Sequence, residues 1–144
     1  MESISQRFRR DHHALLKTFE DLRNAVEGAD ARTIQSVWTE FEQALNRHLD
    51  AEEEFILPAL QAAHPGEVTS IRREHDRIRD LVFDLGIRAD LRTLRRDVAD
   101  ALVHLLEEHA AREEIGVYAL ADRELKAQRE GLFARLADRI DRVA

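Results

Sequence analysis

The chain has 144 residues, with 22 Lys+Arg against 29 Asp+Glu and a formal net charge of −7. At this length a compact fold buries roughly 70% of its extended surface, which supports one core and predicts a single domain over 1–144; basic residues scattered among acids form no cationic stripe, which excludes nucleic acid or anionic lipid as the main ligand. The absence of cysteine excludes disulfides, thiolate metal sites, cysteine nucleophiles and cysteine-bound iron–sulfur clusters, and without an apolar signal region or spanning run the expected compartment is the cytoplasm.

Five Gly and two Pro among abundant Ala, Leu, Glu and Arg predict an all-α fold. Phe8, Leu15, Phe19, Leu22 and Val26 recur at the helical period, giving a first helix that stops near Gly28. Asp30 is a good N-cap for the second, marked by Ile34, Trp38, Phe41, Leu45, Phe55 and Ala59. Pro58 should end or kink it near Leu57, before His64-Pro65-Gly66 turns the chain. The third carries Ile71, Ile78, Val82 and Leu85 and closes at Gly86, and the fourth restarts at Asp90 with Leu91, Leu94, Val98, Leu102, Leu105 and Leu120. A last helix holds Leu125, Leu132, Leu136, Ile140 and Val143. Short connections favour antiparallel neighbours, hence an up-down-up-down four-helix bundle over about 5–120, with a C-terminal helix over about 122–143 as a cap or a contact surface. Periodicity does not separate those two roles; we read the chain as a monomer rather than a homodimer.

The two halves echo each other. Arg9-Arg10-Asp11-His12 returns as Arg72-Arg73-Glu74-His75, 63 positions later, and His48-Leu49-Asp50-Ala51-Glu52-Glu53 aligns with His109-Ala110-Ala111-Arg112-Glu113-Glu114 at an offset of 61. Two similar hairpins facing each other place equivalent side chains at similar depth, the arrangement in which paired metal sites are built.

The apolar stripes are interrupted by His12, His48, Glu52, His75, His109 and Glu113: one His on each of four core faces, and a Glu one turn further on in two of them. Residues i and i+4 lie one above the other, so His48 with Glu52, and His109 with Glu113, reach the same small volume. A buried carboxylate costs several kcal/mol unless paired or bound to a cation, and no Lys or Arg shares those stripes. A metal supplies the missing charge, and imidazole with carboxylate suits iron, manganese, zinc or copper. His12 and His48 fall within one turn of equal depth, but a fourth helix starting at Asp90 leaves His109 and His75 about 12 Å out of level, so that helix must overhang, tilt or begin later.

Other residues invite blander readings. His13 is rotated about 100° from His12 toward the rim, His64 belongs to a turn, and His104 is a surface or outer residue. Asp11, Glu53, Glu74 and Glu114 read as solvated helix faces, some able to orient a ligand imidazole. Trp38 and Tyr118 read as core or interface aromatics, with a ligand or redox role open to Tyr118.

One His in the first helix, His-x-x-x-Glu in the second, His in the third and His-x-x-x-Glu in the fourth resembles the hemerythrin-like (HHE cation-binding) domain family over about residues 8 to 120. Asp11 before His12, the Glu52-Glu53 doublet and Leu57-Pro58 agree with it. The resemblance implies a bundle holding a non-haem di-iron centre, two irons with an oxo or hydroxo bridge, Glu52 and Glu113 as bridging carboxylates, and His12, His48, His75 and His109 as terminal ligands. It also implies dioxygen, nitric oxide or peroxide as the ligand class. The oxygen carriers of the family have a His-x-x-x-His pair in the third helix; here the second position is Arg79. Four histidines divided two and two leave both metals more open, which favours reaction or sensing over simple carriage; that inference fails if His104, a neighbouring Glu or Tyr118 closes one iron. The leading expectation is a di-iron module binding or sensing dioxygen or nitric oxide. The alternatives are a redox enzyme, decomposing peroxide or repairing iron centres after nitrosative or oxidative damage, and a metal-free structural bundle.

Overall fold

The computed structural model describes residues 2–90 and 92–143, the side chains only as far as residue 137. Described residues are helical or in short turns, with no strand among them. Ser3 opens α1 (Ile4–Gly28) through a capping box: its hydroxyl accepts from the Gln6 N–H (3.1 Å) while the Gln6 side chain accepts from the Ser3 N–H (2.8 Å). Asp30 caps α2 (Ala31–Ala51) by accepting from the Thr33 N–H at 2.8 Å. The chain then passes through a π-helical turn (Glu52–Ile56) into α3 (Leu57–Leu60), and Pro65, whose missing N–H is harmless at a helix start, opens α4 (Pro65–Asp90). α5 (Arg96–Arg112), a second π-helical turn (Glu113–Val117) and α6 (Tyr118–Glu124) form the next continuous rod; one 3₁₀ turn (Lys126–Gln128) leads to α7 (Arg129–Val143).

Three boundaries differ from those the sequence suggests. Pro58 does not end its helix, because the π turn before it keeps the rod continuous as far as Leu60. Gly86 is interior to α4: a Cβ there would lie 3.3 Å from Glu42 Oε2 and 3.4 Å from Trp38 Nε1, so the glycine lets α2 approach closely and is not a terminator. Asp90 ends α4 and caps nothing; the reversal is made at Arg92, in the left-handed region with φ 59°, and α5 starts at Arg96. With these bounds His75 lies 15 residues before the end of α4 and His109 lies 13 after the start of α5, a difference of about 3 Å in depth. The apparent 12 Å mismatch came from the misplaced turn.

α1 packs on α2, α5 and α6, α2 on α4, and α4 on α5, which closes a ring of four long helices. The interior is two apolar layers. One gathers Phe8, Leu57, Leu60, Ile71 and Val117, and the other Phe19, Leu22, Phe41, Leu85 and Leu102. Between the layers sit buried histidines and glutamates. Leu132 and Leu136 of α7 belong to the first layer, and Arg135 lies over the Phe55 ring at 5.3 Å, so α7 covers the flank nearest the chain start. Leu91 and the side chains of Ile140 and Val143, expected on apolar stripes, lie outside the described residues. Among the described residues no helix is long and apolar enough to cross a membrane. Because Leu132 is almost wholly buried, Leu132→Ala should lower unfolding free energy in urea by about 2–4 kcal/mol; a loss below about 0.5 kcal/mol would mean that α7 does not dock.

Candidate metal centre

Four helices each deliver one imidazole to the layer between the apolar halves: His12 from α1, His48 from α2, His75 from α4 and His109 from α5. Glu52 and Glu113 stand one turn beyond His48 and His109, each as the first residue of a π turn. All six are buried, and Glu52, His75 and Glu113 have no solvent exposure.

Their ligating atoms converge in two groups that share both carboxylates. His12, His48, Glu52 and Glu113 form one, and Glu52, His75, His109 and Glu113 the other; within each group the atoms lie within 4.8 Å of one another. Glu113 Oε1 lies 3.3 Å from His12 Nε2 and 2.9 Å from His109 Nε2. Glu52 touches His48 Nε2 through Oε1 and approaches His75 Nε2 to 3.4 Å through Oε2. Donors held about 2.0–2.2 Å from one ion are about 2.9–4.4 Å apart, so each group matches a single cation with little adjustment.

Unmet hydrogen-bonding demand points the same way. Nε2 of His48, His75 and His109 and Oε2 of Glu52 and Glu113 have no hydrogen-bond partner among the described residues, although water does not reach them. Leaving one such group unsatisfied costs about 1–3 kcal/mol, and here several meet in one place. Burial also forces the two acids apart. It opposes ionisation of both, but the positive potential of His48 and the close polar approach of Glu113, His48 and His75 hold Glu52 well below the usual carboxylate range. Burial and the neighbouring Glu52 charge push Glu113 well above it. Burial lowers His12 and His109, keeping them neutral as ligands must be; burial also opposes the charge on His75, but the neighbouring Glu113 and Glu52 carboxylates outweigh it and raise that imidazole. The set fits one or two cations of N/O preference.

A second ring of carboxylates backs the imidazoles. His12 Nδ1 faces Glu114 at 3.3 Å, His109 Nδ1 faces Glu74 at 3.5 Å, and His75 Nδ1 faces Glu53 at 3.7 Å. Arg79 binds Glu53 through two contacts (3.0 and 2.5 Å) and Asp50 at 2.9 Å, and Arg112 contacts Glu74. Arg79 therefore orients this outer ring from the position where the carriers of the resembling family have another histidine. Glu53, Glu74 and Glu114, read from the sequence as solvated, are not simply so; their signal was the recurrence of Glu53 and Glu114 directly after Glu52 and Glu113. His13 and His104 are exposed, and His64 sits 3.3 Å from Glu124 at the far turn; none joins the site.

Tyr118 is the residue that the helical period hides. Its N–H donates to the Glu113 carbonyl across five residues, as Leu57 donates to Glu52. The wide turn sets the fifth residue, rather than the fourth, over each glutamate. Pro58 does not cause this, because Ala119 stands at its counterpart in the second half. Fully buried, Tyr118 donates its hydroxyl to Glu52 Oε1 at 2.8 Å.

The chain matches the family model described as Hemerythrin HHE cation binding domain over residues 3–121. It belongs to that family. No curated protein and no solved structure matches it. The hemerythrin HHE match takes in all six convergent side chains and both π turns, and stops before α7.

In the metal-free protein Glu113→Gln should be nearly neutral, because its carboxyl is already pushed toward the protonated form that glutamine imitates. Glu52→Gln should cost about 1.5–3 kcal/mol, the worth of hydrogen bonds to a charged group. Urea unfolding of the two variants in a chelator checks the asymmetry; equal losses would contradict it.

Proposed function

We propose that this hemerythrin-family chain is an up-down-up-down four-helix bundle binding two irons, and that it binds or senses dioxygen or nitric oxide at the carboxylate-bridged pair. In this reading Glu52 and Glu113 bridge, His12 and His48 complete one metal, and His75 and His109 the other. Bound iron supplies a redox-active Lewis acid to which a small neutral molecule can attach. The residues do the rest: they set the spacing of the pair, hold the His12 imidazole in one tautomer through Glu114 at Nδ1, and exclude bulk water by two apolar layers.

The observation that carries this reading is the convergence of two buried donor groups on shared carboxylates beside a cavity of about 20 Å³ lined by His12, His48, His109 and apolar residues such as Leu15, Leu45 and Leu106. That volume accommodates one molecule the size of water and little more, which favours a diatomic over an organic substrate. A second, more open cavity of about 210 Å³ reaches His48 past Arg7, Asp11 and Ala14. The sequence echo makes Asp11 the counterpart of Glu74, which backs His109; the shorter acid has no such contact with His48, whose Nδ1 has no hydrogen-bond partner among the described residues. This is the natural route to the site, and the charged Arg7, Asp11 and Arg47 in its otherwise mostly apolar wall favour peroxide chemistry as the second reading. A cytoplasmic monomer fits the acidic, cysteine-free sequence.

Spectra of the iron-loaded protein distinguish the readings. Binding or sensing predicts optical changes with dioxygen or nitric oxide that reverse when the gas is removed, without turnover, and that vanish in His109→Ala. Steady consumption of peroxide or nitric oxide, lost in His109→Ala, would replace this reading with the enzyme. Metal retention should be lost on acidification, as protons compete for the imidazoles; retention unchanged down to pH 4 would contradict an imidazole-rich site.

A further inference from the structure

The two halves of the site are not equivalent. At the position five residues beyond the glutamate, one half presents the aliphatic Leu57 and the other the hydroxyl of Tyr118. That oxygen is 2.9 Å from His12 Nε2, 2.8 Å from Glu52 Oε1 and 3.4 Å from Glu113 Oε1. All three residues belong to the donor group built on His12 and His48.

The hydrogen-bond count around the hydroxyl does not close. Glu114, facing His12 Nδ1, favours the tautomer with its proton on that nitrogen, which leaves Nε2 a lone pair. Glu52 Oε1 is likewise an acceptor. One phenolic proton cannot serve both, and the oxygen is crowded by polar atoms of three residues of one donor group in a buried site. A cation between them removes the conflict, and the distances suit it: neighbouring donors of an octahedral ion with bonds of about 2.0–2.2 Å are about 2.9–3.1 Å apart.

We propose that Tyr118 is a fifth protein ligand, through its phenolate oxygen, of the metal held by His12, His48, Glu52 and Glu113. This rests on the metal-pair reading above. On coordination the phenol O–H bond breaks, its proton leaves to solvent and the oxygen lone pair forms the bond to the metal; no oxidant or reductant is needed. One metal then has five protein donors and the other, between His75 and His109, has four. The diatomic ligand is directed to the latter, which the small cavity borders at His109; this favours binding at a single metal over chemistry shared equally between two.

Tyr118 is the only tyrosine in the chain, so a tyrosinate signal has one possible source. Resonance Raman spectra of wild-type protein loaded with two ferric ions should contain phenolate ring modes, enhanced on excitation into a visible charge-transfer band and shifted by ring-deuterated tyrosine. Tyr118→Phe keeps the ring that packs on Phe8 at 5.3 Å. It should abolish the band and those modes, and weaken one of the two irons about ten- to a hundredfold while leaving the other bound. Two irons in the wild type without phenolate modes would overturn the Tyr118 assignment and leave the metal pair standing. No iron in the wild type would overturn the pair itself, and the assignment with it. The wild-type spectrum decides the matter even if the variant folds poorly.

Discussion

Glu52 and Glu113 face one another without solvent in the middle of the molecule, and much of the architecture follows from managing that pair. Two ionised carboxylates so close and so dry would repel by more than a small domain can tolerate. The protein separates them electrically: imidazoles surround Glu52 and hold it ionised, while Glu113 is driven toward its neutral form. A divalent or trivalent cation reverses this pattern and lets both carry charge. The apolar layers on either side bring Tyr118 to this pair, one hydroxyl for several polar atoms, and Nε2 of His48, His75 and His109 with Oε2 of Glu52 and Glu113 is left unmet at the centre.

Geometry is transmitted to that centre from outside. Each π turn widens the helix where a glutamate enters, Glu114 meets the His12 ring at Nδ1, and Glu53 and Glu74 stand behind the rings of His75 and His109. Arg79 and Arg112 hold two of those carboxylates in turn, so basic residues act on the site without entering it. Asp11 breaks the repeat at the fourth imidazole, and that side of the centre is the one with an open cavity. The departures from internal symmetry, Asp11 for Glu74 and Leu57 for Tyr118, make the two halves of the centre chemically different.

Much of this was legible in the sequence because it obeys one rule. His12, His48, Glu52, His75, His109 and Glu113 interrupt stripes of period 3.6, and the structure brings all six together. The capping role of Asp30 and the end of α1 at Gly28 follow from equally local chemistry. What stayed hidden breaks the period or depends on a neighbour. Tyr118 arrives through a turn in which the fifth residue replaces the fourth, so its alignment with Glu113 does not register as a helical repeat. Gly86 looks like a terminator until Trp38 is placed against it, and Asp90 looks like a cap until Arg92 takes the reversal. Glu53, Glu74 and Glu114 read as solvated faces with some able to orient an imidazole, and which imidazole each one backs depends on a neighbouring helix.

The most direct measurement is metal content by elemental analysis of protein reconstituted with iron and freed of loosely bound metal. Two donor groups sharing two carboxylates predict about two irons per chain. A folded chain that retains no stoichiometric iron would contradict the account, leaving Glu52 and Glu113 buried without the charge that their position demands.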